Sequence, residues 1–445
     1  MKVVVKQQVP EGYRRTEIGV FPLDWEIFAL KDIVDNGRLP SGIYKDQALY
    51  GNGTQIIKLG DVFRFDIFKP KFSQRVLLTE SEKKIYRVKQ GDIFIALASV
   101  KLEGVGKVML VKELDESTAF DHNVAMLRSV DWVNSSFLAY LMKSSAVRVL
   151  IGKNATQVGT SFLKASTILS FPLALPGAEE QKAIAKALSD TDALIAALEN
   201  LITKKRAIKT ATMQQLLTGK TRLPGFGEGK GYKDSELGRI PEDWEVVPLS
   251  WYVKSLDAGV SVNSDEASGL KNSRILKTSC VYNGGFIPSE SKAIVPKDVG
   301  RAKRNPRKNT ILISRMNTPD LVGECGYVDK DYDNLFLPDR LWITSFYEDK
   351  NVSGLWLASL LSSSRYRKAV KDGATGTSGS MKNISKDFLL QLRLPKIQPA
   401  EQKEISNVIA SLSTDIRACE FILQKVLSIK TAMMQQLLTG RTRLI

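Results

Sequence analysis

Between Lys292 and Lys308 the chain carries seven basic side chains and one acid, Asp298. Such a density suits phosphate contact, because each lysine or arginine that neutralises a phosphate releases a counterion. Arg301, Arg304 and Arg307 are the arginines of this stretch. Just beyond it stand Arg315 and Asn317. These are the residue types that read guanine and adenine with paired hydrogen bonds in a major groove. Earlier in the chain Lys58, Arg64, Lys69, Lys71, Arg75 and Lys101 form a sparser basic set. A solvated basic face is the bland alternative. The whole chain weighs against it: 64 Lys and Arg against 48 Asp and Glu leave a net charge of +16. A chain this basic is expected to meet a polyanion, most often nucleic acid.

Catalytic arrangements are harder to find. Gly219-Lys220-Thr221 has the ending of a phosphate-binding loop, but Gln214 stands where its first glycine is needed, so a helix cap is the better reading. Pro338-Asp339 and Glu348-Asp349-Lys350 mimic the spacing of a metal nuclease, but the first half of the chain has no match to them and such pairs are common. Phe226-Gly227-Glu228-Gly229 hints at an S-adenosylmethionine loop with no strand before it, and Asn305-Pro306-Arg307-Lys308 fails the tetrapeptide of amino methylation at its third position. One histidine, His122, and three cysteines give no zinc pattern and no disulfide framework. No catalytic constellation, bound cofactor or metal site is expected in this chain. No run of 18 apolar residues exists and the N-terminus lacks an apolar signal core, so neither a membrane span nor export is expected and the cytoplasm is the expected compartment.

The elements that hold these residues are announced by an internal repeat. Gly12-Tyr13, Gly19, Pro22, Asp24-Trp25-Glu26 and Leu30 recur 219 residues later as Gly231-Tyr232, Gly238, Pro241, Asp243-Trp244-Glu245 and Leu249. At the same shift Asn154-Ala155-Thr156 maps to Gly373-Ala374-Thr375, and Ser161 to Ser380; Thr156 and Thr375 complete the candidate DNA-contacting set. Each half closes on one sequence, KTATMQQLLTGKTRL at 209–223 and KTAMMQQLLTGRTRL at 430–444. The middles barely match. A shared frame with divergent inserts implies one mechanical job and two recognition jobs.

Each frame ends in a helix. Ile405, Ile409, Leu412, Ile416, Cys419, Leu423 and Val426 step by 4 and 3, as do Ile184, Leu188, Thr191, Ile195, Leu198 and Ile202. That is the seam of a coiled coil, and two such helices in one chain can bury each other's seams. The middles read as mixed α/β, with short strands near Thr54–Leu59, Asp92–Leu97, Lys107–Val111, Arg274–Thr278 and Thr310–Ser314, and one helical stretch each at Ser135–Leu150 and Val352–Val370. The fold class expected is α+β, with two mixed α/β recognition domains and two long helices pairing as an antiparallel coiled coil under a pseudo-twofold duplication. Residues 1–178 form the first recognition domain, 179–219 the first helix, 220–235 a flexible linker, 236–398 the second recognition domain and 399–440 the second helix.

The tail MQQLLTGKTRL, the opening motif ELGRIPEDWEVVPL at 236–249 and the helix start around Glu180-Gln181-Lys182 resemble the specificity subunits of type I restriction–modification enzymes. The first opening motif, EIGVFPLDWEIFAL at 17–30, is a degraded copy. The resemblance implies a subunit without enzyme activity whose two target recognition domains each read one half of a split double-stranded DNA sequence. It also implies docking of two modification subunits that methylate adenine N6, and of restriction subunits. S-adenosylmethionine, ATP and magnesium would sit on those partners and not on this chain. The rivals are an enzyme in its own right, or a bridging coiled-coil protein that binds DNA without specificity.

Overall fold

A computed structural model describes residues 9–267, 269–376 and 381–444. The chain divides into two compact units, Met1–Glu199 with Phe421–Ile445, and Asn200–Glu420.

In the first unit a hairpin of Tyr13–Thr16 and Gly19–Pro22 opens the chain. Glu26–Ala29 then pairs antiparallel with the distant strand Pro172–Leu175. Of the three three-stranded sheets between them among the described residues, two lie in the middle of the unit. Ile93–Ile95 runs between Ala125–Leu127 and Val108–Leu110. Tyr50–Ile57 runs between Gln74–Val76 and, in parallel, Thr118–Phe120. The second unit repeats this plan, with Val253–Ala258 added as a fourth strand beside Leu341–Phe346. Tyr232–Ser235 and Gly238–Pro241 form its hairpin, and Glu245–Pro248 pairs with Arg393–Lys396. Ile311–Ser314 lies between Leu341–Phe346 and Cys325–Tyr327, and Leu270–Leu276 between Ser291–Ile294 and, in parallel, Leu335–Phe336. The divergent middles therefore share a topology. Burial on both faces preserves apolar character and not identity: Ile93-Phe94-Ile95 and Ile311-Leu312-Ile313 are all buried.

The expected helical stretches are each broken in two. Ser135–Met142 ends before Ser144, whose hydroxyl caps Ser145–Asn154 by accepting from Val147 N at 3.4 Å. Gly354–Leu361 likewise ends at Ser362-Ser363, before Ser364–Asp372. Serine competes for backbone hydrogen bonds and so favours a cap over a helix interior. The expected linker is also shorter than its glycines suggest, since Tyr232–Ser235 is strand.

The long helices are Ala178–Leu217 and Pro399–Leu437. Each unit holds one part of each, running antiparallel. In the first, Lys430 bonds Asp192 at 2.6 Å and the Thr191 hydroxyl meets the Met433 sulfur at 3.5 Å. In the second, Lys205 meets Asp415 at 3.0 Å and Arg206 meets Glu420 at 2.5 Å. Most of each expected seam is inside: Ile184, Leu188, Leu198, Ile202, Ile405, Ile409, Ile416, Cys419 and Val426 are buried, while Thr191, Ile195, Leu412 and Leu423 are half-buried.

The repeated motifs meet crosswise. The close of the second half completes the first unit, and the close of the first half completes the second. Arg443 binds Asp24 and the buried Glu180, and Glu180 also accepts from Trp25 Nε1 at 3.2 Å. Arg222 binds Asp243 and the buried Glu401 in the same way, with Trp244 Nε1 at 3.4 Å. Tyr13 and Tyr232 donate to the carbonyls of Gly440 and Gly219, at 2.8 and 3.1 Å. Both glycines end a long helix with positive φ, +67° and +71°. A Cβ on Gly440 would sit 2.5 Å from Pro22, and one on Gly219 2.5 Å from Pro241. Only glycine fits there, which is what the closing TGKTRL and TGRTRL strings encode.

Candidate nucleic-acid interface

In each unit the central strand runs into a surface loop. In the first unit Gly106 N closes the loop by donating to Ala96 O at 2.7 Å; in the second, Gly323 N donates to Ser314 O at 2.8 Å. A hairpin braces each incoming limb. Ala98–Ser99 pairs with Thr160–Phe162, which pairs in turn with Thr156–Val158. Met316–Asn317 pairs with Lys382–Asn383. The tips are exposed: Val100, 82% accessible, with Lys101 in one loop, and Thr318, Pro319 and Asp320 in the other.

The candidate residues of the first unit gather around this loop. Lys101 is at its tip. Thr156 is exposed on the hairpin, its hydroxyl on Phe162 O at 3.2 Å. Arg64 ends the short helix Leu59–Arg64 and stacks its guanidinium over Phe65 and Phe72, at 4.9 and 5.2 Å. That helix abuts the loop, since Lys107 Nζ reaches Phe63 O at 3.4 Å. Lys58, just before the helix, lies 4.3 Å from the Tyr50 ring centre. Among the sparser basic set, Arg75 is paired with Glu116. Phe162, exposed on the hairpin, and Val100 are surface residues that charge-based reading passes over. The only sequence signal for Phe162 is its place beside the repeated Ser161, whose counterpart Ser380 lies outside the described residues.

In the second unit the candidates form two groups. Arg315, Asn317 and Thr375 belong to the loop and its hairpin. Thr375 is exposed and exchanges two backbone hydrogen bonds with Asn383. Arg315 lies at the loop base, 5.9 Å from the Trp342 ring centre, and its buried Nε has no partner among the described residues. Asn317 is buried, with its amide spent inside the loop: Nδ2 donates to Ser314 Oγ at 3.2 Å and Oδ1 accepts from Thr318 N at 2.9 Å. In this conformation it braces the turn, with one donor and one acceptor site of its amide already used. The basic stretch is elsewhere. The Arg304 carbonyl accepts from Leu337 N and the Pro306 carbonyl from Tyr332 N, so it lines a sheet edge. Its charge is partly met by acids, two of them distant in sequence and one, Asp298, within the stretch. Arg307 pairs with Asp333 at 2.5 Å, Arg304 lies 3.9 Å from Asp257, and Arg301 pairs with Asp298 at 3.2 Å. Among the described residues no hydrogen bond or ion pair joins the two groups.

Burial pushes the thiols of Cys280 and Cys325 up to about 12, so neither is a thiolate nucleophile at neutral pH. Among the described residues no group of three His, Cys, Asp or Glu is placed to hold a metal, and no helix is long and apolar enough to cross a membrane. His122 stands 3.3 Å from Asp121 and edge-on to Tyr44.

Residues 22–209 match the family model described as the type I restriction modification DNA specificity domain. A putative type I restriction enzyme MjaX specificity subunit of Methanocaldococcus jannaschii is 33% identical over 256 residues, 56% of this chain and 57% of that one. The MjaVIII specificity subunit of the same organism is 29% identical over 48% of this chain and 50% of its own. The chain thus spans little more than half the length of these relatives. The EcoKI specificity subunit of Escherichia coli is 26% identical over 78% of this chain and 72% of its own. A crystal structure of the type I restriction–modification S subunit from M. genitalium is similar in fold, with a TM-score of 0.56 at 15% identity over 93% of this chain and 96% of that one.

Proposed function

We propose, for a chain that belongs to the specificity-subunit family of type I restriction–modification systems, that each unit reads one half of a split double-stranded DNA target. One observation carries this reading. Both units build the same loop and hairpin, yet set different residues at the tip, Ser99-Val100-Lys101 in one and Thr318-Pro319-Asp320 in the other. A common scaffold with different tips suits two readers of different bases. Phosphate contact falls to the flanking cations, Lys58 and Arg64 in the first unit and Arg301, Arg304 and Arg307 in the second. Arg315 keeps its candidacy as a base reader, and Asn317 acts by shaping the loop.

The chain would position chemistry that partner subunits perform. The long helices support docking of two modification subunits, because each carries the same pair of exposed apolar residues seven apart, Leu201 and Ile208 in one, Ile422 and Ile429 in the other. These stand off the buried seam, and a repeated patch suits two copies of one partner. S-adenosylmethionine would be bound by those subunits, and ATP and magnesium by restriction subunits. Mapping methylated adenines in cells with and without this gene tests the reading. One split motif should lose its methylation when the gene is removed; an unchanged methylome would overturn it.

A further inference from the structure

The divergent middles conserve one device. Gly106 and Gly323, which close the two loops, both have positive φ, +74° and +79°. A Cβ on Gly106 would fall 2.2 Å from Ile151 Cδ1, and one on Gly323 2.1 Å from Val370 Cγ1. Ile151 and Val370 lie on the helices Ser145–Asn154 and Ser364–Asp372 and are related by the repeat's shift of 219. One turn earlier on each helix, again 219 apart, stand Arg148 and Arg367.

Both arginines grip the outgoing limb of their loop. Arg148 donates to the carbonyls of Val105 at 2.5 Å, Glu103 at 3.3 Å and Leu102 at 3.4 Å. Arg367 forms an ion pair with the buried Glu324, next to Gly323, and lies 5.7 Å from the Tyr282 ring centre. Glu324 in turn accepts from Asn283 N at 2.7 Å. The partners differ, backbone carbonyls just before the closing glycine in one unit and a carboxylate just after it in the other, but the helix position is the same. The incoming limbs are fixed too: Leu163 N donates to Leu97 O at 2.8 Å and Ile384 N to Arg315 O at 3.0 Å. Each tip is thus held at both ends while its own side chains face solvent.

We infer that Arg148 and Arg367 are positioning residues for base reading: each latches the recognition loop of its unit so that the tip meets the groove in one register. The inference rests on the proposed DNA reading. An arginine suits the task because its rigid fork bonds several acceptors at once, whereas lysine offers a point charge. A latch that fixes the tip sharpens the choice of base without touching DNA, and it leaves phosphate contacts elsewhere on the unit intact.

The full chain, co-expressed with its modification subunits, is tested by selecting bound sequences from a random duplex library. Arg148→Ala should lower discrimination about 5- to 150-fold at positions of one half-site, the scale of a lost base contact. The other half-site and the dependence of binding on salt should not change. Arg148→Lys should recover part of the discrimination. Arg367→Ala should mirror this at the other half-site. A parallel pair, Lys101→Ala and Asp320→Ala, alters the tips alone. Discrimination lost in the tip variants but kept in both Arg→Ala variants would overturn the latch while leaving the DNA reading in place. Discrimination kept in all of them would overturn the assignment of these loops as readers. If Arg148→Ala does not fold, Arg148→Lys decides: unaltered base preference with a lowered melting temperature makes Arg148 a stability residue only.

Discussion

Replacing Arg443 by methionine removes the centre of the first unit's clamp. Glu180 is buried, its side chain 6% accessible, and Arg443 gives it bonds at 2.7 and 2.8 Å. After the substitution Glu180 keeps only Trp25 Nε1 at 3.2 Å and Leu444 N at 3.3 Å. The Asp24 side of the pair is 64% accessible and adds little. The Glu180 side dominates, because a buried charge stripped of its partner costs about 3–5 kcal/mol. In a unit of this size 1 kcal/mol moves the melting temperature by roughly 2–4 °C. A loss of about 3 kcal/mol therefore lowers it by roughly 6–12 °C. Calorimetry of Arg443→Met and of the double variant Arg443→Met/Glu180→Gln measures this. The double variant should recover stability, because the stranded charge is gone. A single variant within about 0.5 kcal/mol of the parent, the range of an unremarkable surface change, would refute the reasoning. So would a double variant no more stable than the single one.

Three further outcomes follow from the same geometry. Hydrogen bonds from Arg443 and Arg222 hold the carboxyls of Asp24 and Asp243 below their usual 3.8. Their stabilisation is present above that value and is lost as pH falls through the lowered one, so Arg443→Met and Arg222→Met should flatten the dependence of urea midpoints on pH below about 4. Replacing the exposed pairs Leu201/Ile208 and Ile422/Ile429 by serine should leave the melting temperature within a few degrees of the parent but weaken co-purification with the modification subunits; undiminished co-purification would count against that face. Inserting four residues in both long helices adds about 6 Å and roughly one turn to each. If the helices set the spacing of the half-sites, methylome mapping should show unchanged half-sites and a spacer longer by one or two base pairs; a parental spacer at full activity would refute this.

The frame was legible because its repeated residues are the ones that touch. Trp25, Glu180 and Arg443 recur as Trp244, Glu401 and Arg222, and a 4-3 rhythm marks the seams. What the sequence hides is the crosswise pairing: Arg443 and Glu180 are 263 positions apart, and no local pattern says that each closing segment belongs to the other half's opening motif. The shared topology of the middles was hidden as well, since buried strands preserve only apolar character. Site residues were legible by type and not by environment. Asn317 looks like a reader of adenine until its amide is seen bonded to Ser314 and Thr318. The basic stretch looks free until Asp333 and Asp257 are found beside it. Arg148 and Arg367 carried no signal beyond the shift of 219, which has meaning only once both loops are seen on the same helix position.

The central claim is that one unit reads one half-site. Exchanging residues 35–150, which hold the first loop but leave the opening motif and both long helices untouched, for those of another specificity subunit tests it most directly. Methylated-adenine mapping of cells carrying the hybrid should show a motif with one half replaced, and the other half and the spacer kept. A motif changed in both halves, or in neither with full activity, would contradict the account.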